Sequence, residues 1–304
     1  MPIPTPINRE RSTSSIDPLF QELKMPFSVL ILTLNEEANL PACLKAVEWC
    51  DDIVVLDSFS QDRSTEIAGQ FGARVFQRRF DDFASQRNFA LENVSFKHDW
   101  VFHLDADEVF TPELRSEVEF KIQQPDCDAY YIPSKMMMKG KWLRHAGLYP
   151  SYQVRLTRLK VFRFKQVGHG QREDIDNSRV GRLSNPYIHN SFSKGLGDWI
   201  DRHNRYSTLE AQESLKEVEG QGFSWAGLFA ADGIRRRRAL KHLSYRMPFR
   251  PFLRFVYMYF FRLGFLDGVQ GWIYCSLLAM YESMIAMKMA EARRAVHKDE
   301  TVPR

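Results

Sequence analysis

The chain has 304 residues, a hydrophobic fraction of 44% and a formal net charge of +4. That length allows one large domain, or one domain with an appended element, around a substantial core. The charge is too mild to argue for nucleic acid across the whole chain, and four cysteines without a Cys-x-x-Cys or Cys/His cluster read as reduced, mostly buried thiols, with no structural zinc indicated.

Residues 1–25 are polar, with proline and serine but no apolar run of signal-peptide length, and read as a disordered lead-in. Phe27–Leu32 is an apolar run suited to a buried strand, followed by Thr33-Leu-Asn-Glu-Glu-Ala-Asn39 and an amphipathic stretch through Val47. Ile53–Leu56 is a second strand ending at Asp57; Ser64–Phe71 is a helix closed by Gly72; Ala73–Phe76 is a third strand. Phe83–Asn93 reads as a helix leading into a strand over Trp100–Leu104, which delivers Asp105 and Asp107. Thr111, Pro112 and Glu113 supply a capping hydroxyl, a proline at the first helical position and an acid in the first turn of the next helix. This alternation predicts an α/β fold, a mostly parallel sheet flanked by helices. Ligands of such sheets bind beyond the carboxyl ends of the strands, where Thr33–Glu36, Asp57 and Asp105/Asp107 all fall.

The texture then changes. Ala129–Ile132 and Gln153–Leu156 predict strands of a mixed or antiparallel edge, separated by a Met- and Lys-rich stretch at 135–145. Residues 165–195 are loop-rich and carry His169, Glu173, Asp174 and His189, and Trp199–Val218 is helical in pattern. From Gly233 to Leu266 there are nine Lys/Arg and no Asp/Glu, beginning with Arg235–Arg238 and interleaved with aromatics. Val269–Met287 is a largely apolar helix, while Arg254, Arg262 and Asp267 break the preceding segment as a membrane span. The basic, aromatic composition fits helices at an anionic membrane surface.

Four segments, Ile31–Glu37, Val54–Thr65, Ala84–Ala90 and His103–Glu108, resemble in order and spacing the family 2 glycosyltransferases of the GT-A fold, above all the bacterial lipopolysaccharide-core β-glucosyltransferases. The resemblance covers residues 26–290. It implies a Rossmann-like GT-A domain over 26–230, with 231–304 as a basic, aromatic helical extension at the membrane surface. By the resemblance, Thr33, Asn35 and Glu36 line the nucleoside pocket, Asp57 accepts from the imino N–H of a uracil-type base, and Arg87 lies near the nucleotide. Asp105 contacts the ribose or the cation, Asp107 binds the cation directly, and His189 is a further metal or diphosphate contact; Mg²⁺ or Mn²⁺ suits such a site. The family's inverting mechanism uses an acid to deprotonate the acceptor hydroxyl. Glu173 is the choice here, with Asp174 as alternate, although Arg172 stands where the family has histidine and His169 lies four residues before Glu173. Arg202-His-Asn-Arg-Tyr206 resembles the helix beyond the family's active site.

The expected activity is metal-dependent, inverting transfer of a hexose from a UDP-sugar to a cell-envelope glycan or lipid-linked acceptor, in lipopolysaccharide or exopolysaccharide synthesis. The expected location is the cytoplasm, peripheral on the inner leaflet of the cytoplasmic membrane, with no nucleic-acid partner. Two other readings stay open at this point. One is a non-catalytic sugar-nucleotide or membrane-surface binding protein. The other is a nucleotidyltransferase, which would carry a glycine-rich basic phosphate loop where this chain has Thr-Leu-Asn-Glu-Glu.

Overall fold

The computed structural model describes residues 27–168 and 170–220, isolated positions from 232 to 247, and 249–300. The expected lead-in at 1–25, His169, and Arg235, Arg237 and Arg238 of the basic run lie outside the described residues.

Strands β1 (Ser28–Thr33), β2 (Ile53–Asp57), β3 (Arg74–Gln77) and β4 (Trp100–Asp105) run parallel in the spatial order β3-β2-β1-β4. They are joined by α1 (Leu40–Ala46), α2 (Ser64–Gln70) and α3 (Phe83–Asn93). The chain winds outward from β1 to β3, then returns to the far side of β1 as β4. The direction of winding therefore reverses between the parallel neighbours β1 and β4, the kind of switch point that opens a crevice at the carboxyl ends of the strands. Every residue of β1 and β2 is buried, the pattern of parallel strands covered on both faces. Alternate side chains divide between two cores. Val29, Ile31, Phe102 and Leu104 pack against Leu40 and Leu44 of α1 and Leu114 and Val118 of α4 (Pro112–Gln123). Leu30, Leu32, Val54 and Val101 pack against Ala84, Ala90 and Leu91 of α3. The expected start of α4 is present: Thr111 caps it by accepting from Leu114 N at 3.3 Å, with Pro112 in the first turn.

Beyond β4 the sheet is mixed, not mostly parallel. The long strand β6 (Ala129–Met138) turns through β7 (Lys141–Trp142), and β8 (Ser151–Arg158) returns antiparallel between β6 and β4. A hairpin return forces this antiparallel insertion, and β6 itself runs through part of the segment expected to separate two short strands. The expected loop region holds a separate hairpin, β9 (Phe164–Val167) with β10 (Gly170–Glu173), and then β11 (Val180–Arg182) and β12 (Tyr187–His189). These strands have three or four residues and few buried apolar side chains, so no periodicity announces them. β12 pairs with β6 and with β5 (Glu108–Val109). All four cysteines are free.

Helix α5 (Gly195–Gly220) leads toward the C-terminal helices. These are α6 (Arg250–Val256), a π-turn at Tyr257–Phe261, a 3₁₀ turn at Gly264–Asp267 and α7 (Gly268–Glu300). α7 packs on α5 through Ala211, Ile285 and Met289, and Lys288 Nζ donates to Asn204 Oδ1, Ser207 Oγ and Thr208 Oγ1 at 2.8–2.9 Å. The buried Asp267 carboxylate accepts from the backbone of His145 at 2.9 Å and Ala146 at 2.8 Å, tying the corner to the loop before β8. No single helix among the described residues is long and apolar enough to cross a membrane; Arg250–Phe261 and Gly264–Arg294 reach that length and apolarity only as a pair bent by 73°.

Gly271 explains how this corner closes, because a Cβ there would lie 2.0 Å from the Gly264 carbonyl oxygen. Gly271→Ala should therefore destabilise the protein by about 2–3 kcal/mol. Gly69→Ala, within α2 and with nothing within 4 Å of the added carbon, should be neutral or stabilising by about 0.5–1 kcal/mol. Urea denaturation of the two variants checks the pair.

Candidate active site

The loops after β1 and β2 are laced together. Asn35, in a left-handed conformation (φ 54°), donates its N–H to Ser60 Oγ at 2.8 Å and accepts from Gln61 N at 2.7 Å. Glu36 N donates to Ser64 Oγ at 2.8 Å, Glu37 N to Asp62 at 3.0 Å, and Arg63 N to Glu37 at 3.1 Å. Asp57 is fully buried, and its carboxylate accepts from Ser60 N at 3.0 Å and Gln77 Nε2 at 3.1 Å. Thr33 ends β1 with a buried hydroxyl that has no hydrogen-bond partner. The Glu36 carboxylate accepts from Asn39 Nδ2 at 2.7 Å and Lys194 Nζ at 2.6 Å, while burial raises its pKa above the ordinary value. Lys194, 158 residues away in sequence, thus spans the mouth beside β1. Nothing in its local sequence signals this.

Asp105 ends β4 on the other side of the crevice. Arg87 of α3 donates to its Oδ1 at 2.6 Å, and Arg155 of β8 donates to its Oδ2 at 2.9 Å. Arg155 also bonds the fully buried Glu108, whose other oxygen accepts from Asp105 N at 2.9 Å. Both guanidinium groups are only 2% exposed. Burial pushes the Asp105 carboxyl up, but Arg155 and Arg87 together outweigh it and hold the group well below the usual carboxylate range. Glu108 goes the other way: burial, reinforced by Asp105, lifts it to about 7 against the pull of Arg155. His103, two residues before Asp105, is kept neutral by burial and by both arginines, and its Nε2 pairs with Thr157 Oγ1 at 2.8 Å. Neither Arg155 nor Glu108 was expected from sequence. The available signal was a cation at 155 between apolar strand neighbours, opposite a turn with three acids in four positions.

Asp107 lies one turn further, its backbone carbonyl accepting from Asn190 N at 2.9 Å. Its Oδ2 is 3.4 Å from His189 Nε2. Burial opposes the imidazolium, but Asp107, with Glu108 and Asp105 adding to it, lifts His189 to about 9. α5 covers this pair: Arg202 adds to the charge that lowers the Asp107 pKa, and Tyr206 is raised by burial with Asp105 and Asp107 contributing. Among the described residues no group of three or more His, Cys, Asp and Glu side chains is arranged to hold a metal ion. The donor set still fits a cation shared with substrate. Mg²⁺ and Mn²⁺ are often held by one or two protein ligands, with phosphate oxygens and water completing the shell, and Asp107 with His189 offers two.

The remaining expected residues lie on the β9–β10 hairpin. Asn88 of α3 anchors it, exchanging side-chain bonds with the Phe164 backbone at 2.8 and 2.9 Å. Gln171 and Glu173, two apart on β10, share a face. Gln171 Oε1 accepts from Arg87 Nη1 at 2.8 Å, and Glu173 accepts from the Tyr131 hydroxyl. Burial and this bond push the Tyr131 phenol up to about 12, so it remains a donor. Asp174 is exposed and 3.3 Å from Lys165 Nζ.

These residues sit in a chain with identifiable relatives. The family described as Glycosyl transferase family 2 matches residues 28–180, half of the sequence, and the chain belongs to that family: it is a glycosyltransferase with a GT-A-like fold. A lipopolysaccharide core biosynthesis glycosyltransferase (LpsC) of Rhizobium meliloti is 25% identical over 279 residues, 88% of this chain and 92% of the relative. An uncharacterized glycosyltransferase of Rickettsia typhi is 24% identical over 275 residues, 87% of this chain and 86% of the relative. Among solved structures, the mannosyltransferase PcManGT of Pyrobaculum calidifontis, in complex with GDP-Man and Mn²⁺, aligns with a TM-score of 0.47 at 14% identity, covering 87% of each chain. S. aureus TarS 1–349 aligns with a TM-score of 0.40 at 14% identity, covering 90% of this chain and 92% of its own. Family membership sets aside the non-catalytic and nucleotidyltransferase readings.

The arginine bracket is testable by a double-mutant cycle. Arg155→Met leaves the buried Glu108 without a counter-charge and Asp105 with Arg87 alone, and should cost about 3–5 kcal/mol. Adding Glu108→Gln removes one of those charges, so the double variant should be less destabilised than the sum of the singles. Additive losses on urea denaturation would mean that Arg155 does not couple to Glu108.

Proposed function

We propose that the enzyme transfers a hexose, with inversion, from a UDP-sugar to a cell-envelope glycan or lipid-linked acceptor in lipopolysaccharide or exopolysaccharide synthesis, with Mg²⁺ or Mn²⁺ as cofactor. The observation that carries this reading is the Asp107–His189 pair, 3.4 Å apart beside the crevice between β1 and β4. The likeness to the Rhizobium meliloti core-biosynthesis enzyme over most of both chains supports the acceptor class.

The roles follow from placement. Thr33, Asn35 and Glu36 form the β1 side of the nucleoside pocket, and Asp57 underlies it, bracing the loop that faces the base. Arg87 and Asp105 fix the floor, with Asp105 oriented toward the ribose side. Asp107 and His189 would hold the cation, which when bound supplies positive charge against the departing diphosphate. Glu173 serves as base: its carboxylate takes the proton of the acceptor hydroxyl as that oxygen attacks the anomeric carbon opposite the diphosphate. The shared face with Gln171, which contacts Arg87, supports Glu173 over Asp174, whose carboxylate is exposed and turned toward Lys165. The basic, aromatic extension at 231–304 supports a peripheral position on the inner leaflet of the cytoplasmic membrane, with no nucleic-acid partner.

Three measurements test this. Asp107→Ala should lower transfer from the best of a panel of sugar nucleotides by on the order of 10³-fold with an unchanged melting profile; normal turnover would remove Asp107 from the chemistry. Glu173→Gln should cut kcat by on the order of 10²–10⁴-fold with little effect on donor KM, whereas Asp174→Asn should stay near wild type, and the reverse pattern reassigns the base. His189, lifted to about 9, carries its proton at pH 7 and must lose it to ligate. Apparent Mn²⁺ affinity should therefore rise with pH until about pH 9, and calorimetry in two buffers at pH 7 should show about one proton released per ion. His189→Gln should abolish that release.

A further inference from the structure

We infer that the helical corner at residues 257–272 is a shallow wedge that inserts into an anionic bilayer beside the mouth of the active site. The purpose of the wedge rests on the proposed lipid-linked acceptor; its geometry does not.

The corner is the most apolar exposed feature described. Phe260, Phe261, Leu263, Phe265, Leu266, Val269 and Trp272 are all exposed, with Phe261 at 75% and Val269 at 68%. Six of these seven fall within ten consecutive residues at a 73° bend between two helices. Exposed apolar surface of this extent marks an interaction site.

Charge selects the partner. The corner's single acid, Asp267, is turned inward and held by the backbone of His145 and Ala146, whereas Arg262 is exposed at the tip. From Gly233 to Leu266 the chain carries nine Lys/Arg and no Asp/Glu. An apolar tip with an exposed arginine on it and a basic sequence before it matches acyl chains beneath anionic headgroups. Since neither helix of the bent pair is long and apolar enough to cross alone, insertion from one side fits better than a span.

Sheet topology places the tip. β6 is antiparallel to β8, which is antiparallel to β4, so β6 and β4 point the same way, and β12 runs parallel to β6. The carboxyl ends of β4, β6 and β12 therefore share one edge, with Asp105 and His189 on it. The 143–148 loop that Asp267 grips follows β7 at that same edge. An acceptor whose lipid lies in the bilayer would thus present its sugar next to the donor crevice.

The test is flotation of the full chain with vesicles of phosphatidylcholine alone and with phosphatidylglycerol added. The triple variant Phe261→Ser/Leu266→Ser/Val269→Ser should lose at least about tenfold in partitioning to both compositions. Arg262→Ser should weaken binding about fivefold on the anionic vesicles only. Donor hydrolysis in detergent should be unchanged in the triple variant. Wild type that fails to float, or a triple variant that floats as well as wild type, overturns the wedge. So does a wild type that self-associates without lipid and becomes monomeric in the triple variant, since the face would then serve a second copy. Flotation in the expected pattern without hydrolysis of any UDP-sugar would leave the wedge standing and remove the proposed donor instead.

Discussion

The grip of two buried arginines on Asp105 is the constraint on which the site depends. An ion pair this deep adds little net stability, because desolvation cancels most of the attraction, yet breaking it is costly. Its value is geometric. Arg87 comes from α3, Arg155 from β8, and Asp105 from the end of β4, so one carboxylate fixes three elements. Through Gln171 the same bracket reaches the β9–β10 hairpin, and through Glu108 it fixes the turn that presents Asp107. Electrostatics around it are nearly balanced. The two guanidinium charges face the three acids at 105, 107 and 108, leaving one negative charge that the His189 imidazolium matches when Glu108 is ionised. A divalent ion in place of that proton would make the pocket net positive. That is the sign the diphosphate of the proposed donor needs.

The rim formed by the loops after β1 and β2 is built by a different device. Reciprocal side-chain to backbone bonds join the β1 and β2 loops, so residues expected to contact ligand also satisfy the loop backbone. Asn35 accepts from Gln61 N while its own N–H goes to Ser60. Asp57 holds Ser60 from beneath, which makes it a turn-bracing residue as well as a candidate base contact. Such double use gives a rigid rim before substrate arrives, and a preorganised rim reduces the ordering cost of binding.

Much of this was legible in the sequence where a single segment carries its own pattern. The apolar runs of β1, β2 and β4, the capped start of α4 and the full extent of α3 all follow from local periodicity and capping chemistry. Within Ala84–Ala90 the sequence singled out Arg87 but not its partner Asp105, and gave no role to Gln86, which reaches Ser58, or to Asn88, which reaches the Phe164 backbone. Arg155 and Lys194 were missed because their meaning is wholly non-local. No rule of spacing links 155 to 105 or 194 to 36; only the insertion of β8 beside β4 and the return of the chain into α5 bring them together. The antiparallel edge was legible at Ala129–Ile132 and Gln153–Leu156, but the insertion of β8 between β6 and β4, which makes the sheet mixed and not mostly parallel, is again non-local.

The C-terminal helices are joined to the site edge of the sheet through Asp267 and two glycines. Burying a carboxylate requires donors, and the His145 and Ala146 backbone N–H groups supply them. That contact demands that the 3₁₀ turn approach the sheet closely. Gly264 and Gly271 permit it, since a Cβ at Gly264 would meet Met258 O at 2.8 Å and one at Gly271 would meet Gly264 O at 2.0 Å. The Leu263-Gly-Phe-Leu-Asp-Gly-Val-Gln-Gly271 stretch therefore has a mechanical reading: Gly264, Asp267 and Gly271 face the protein, and Leu263, Phe265, Leu266 and Val269 are left outside. A soluble core would turn those large apolar side chains, and the neighbouring Phe260 and Phe261, inward. Turning the one acid in and the rings out is the reverse of that arrangement, and it is sustained only because the acid's hydrogen bonds fix the corner against the same edge of the sheet that holds the acid pair.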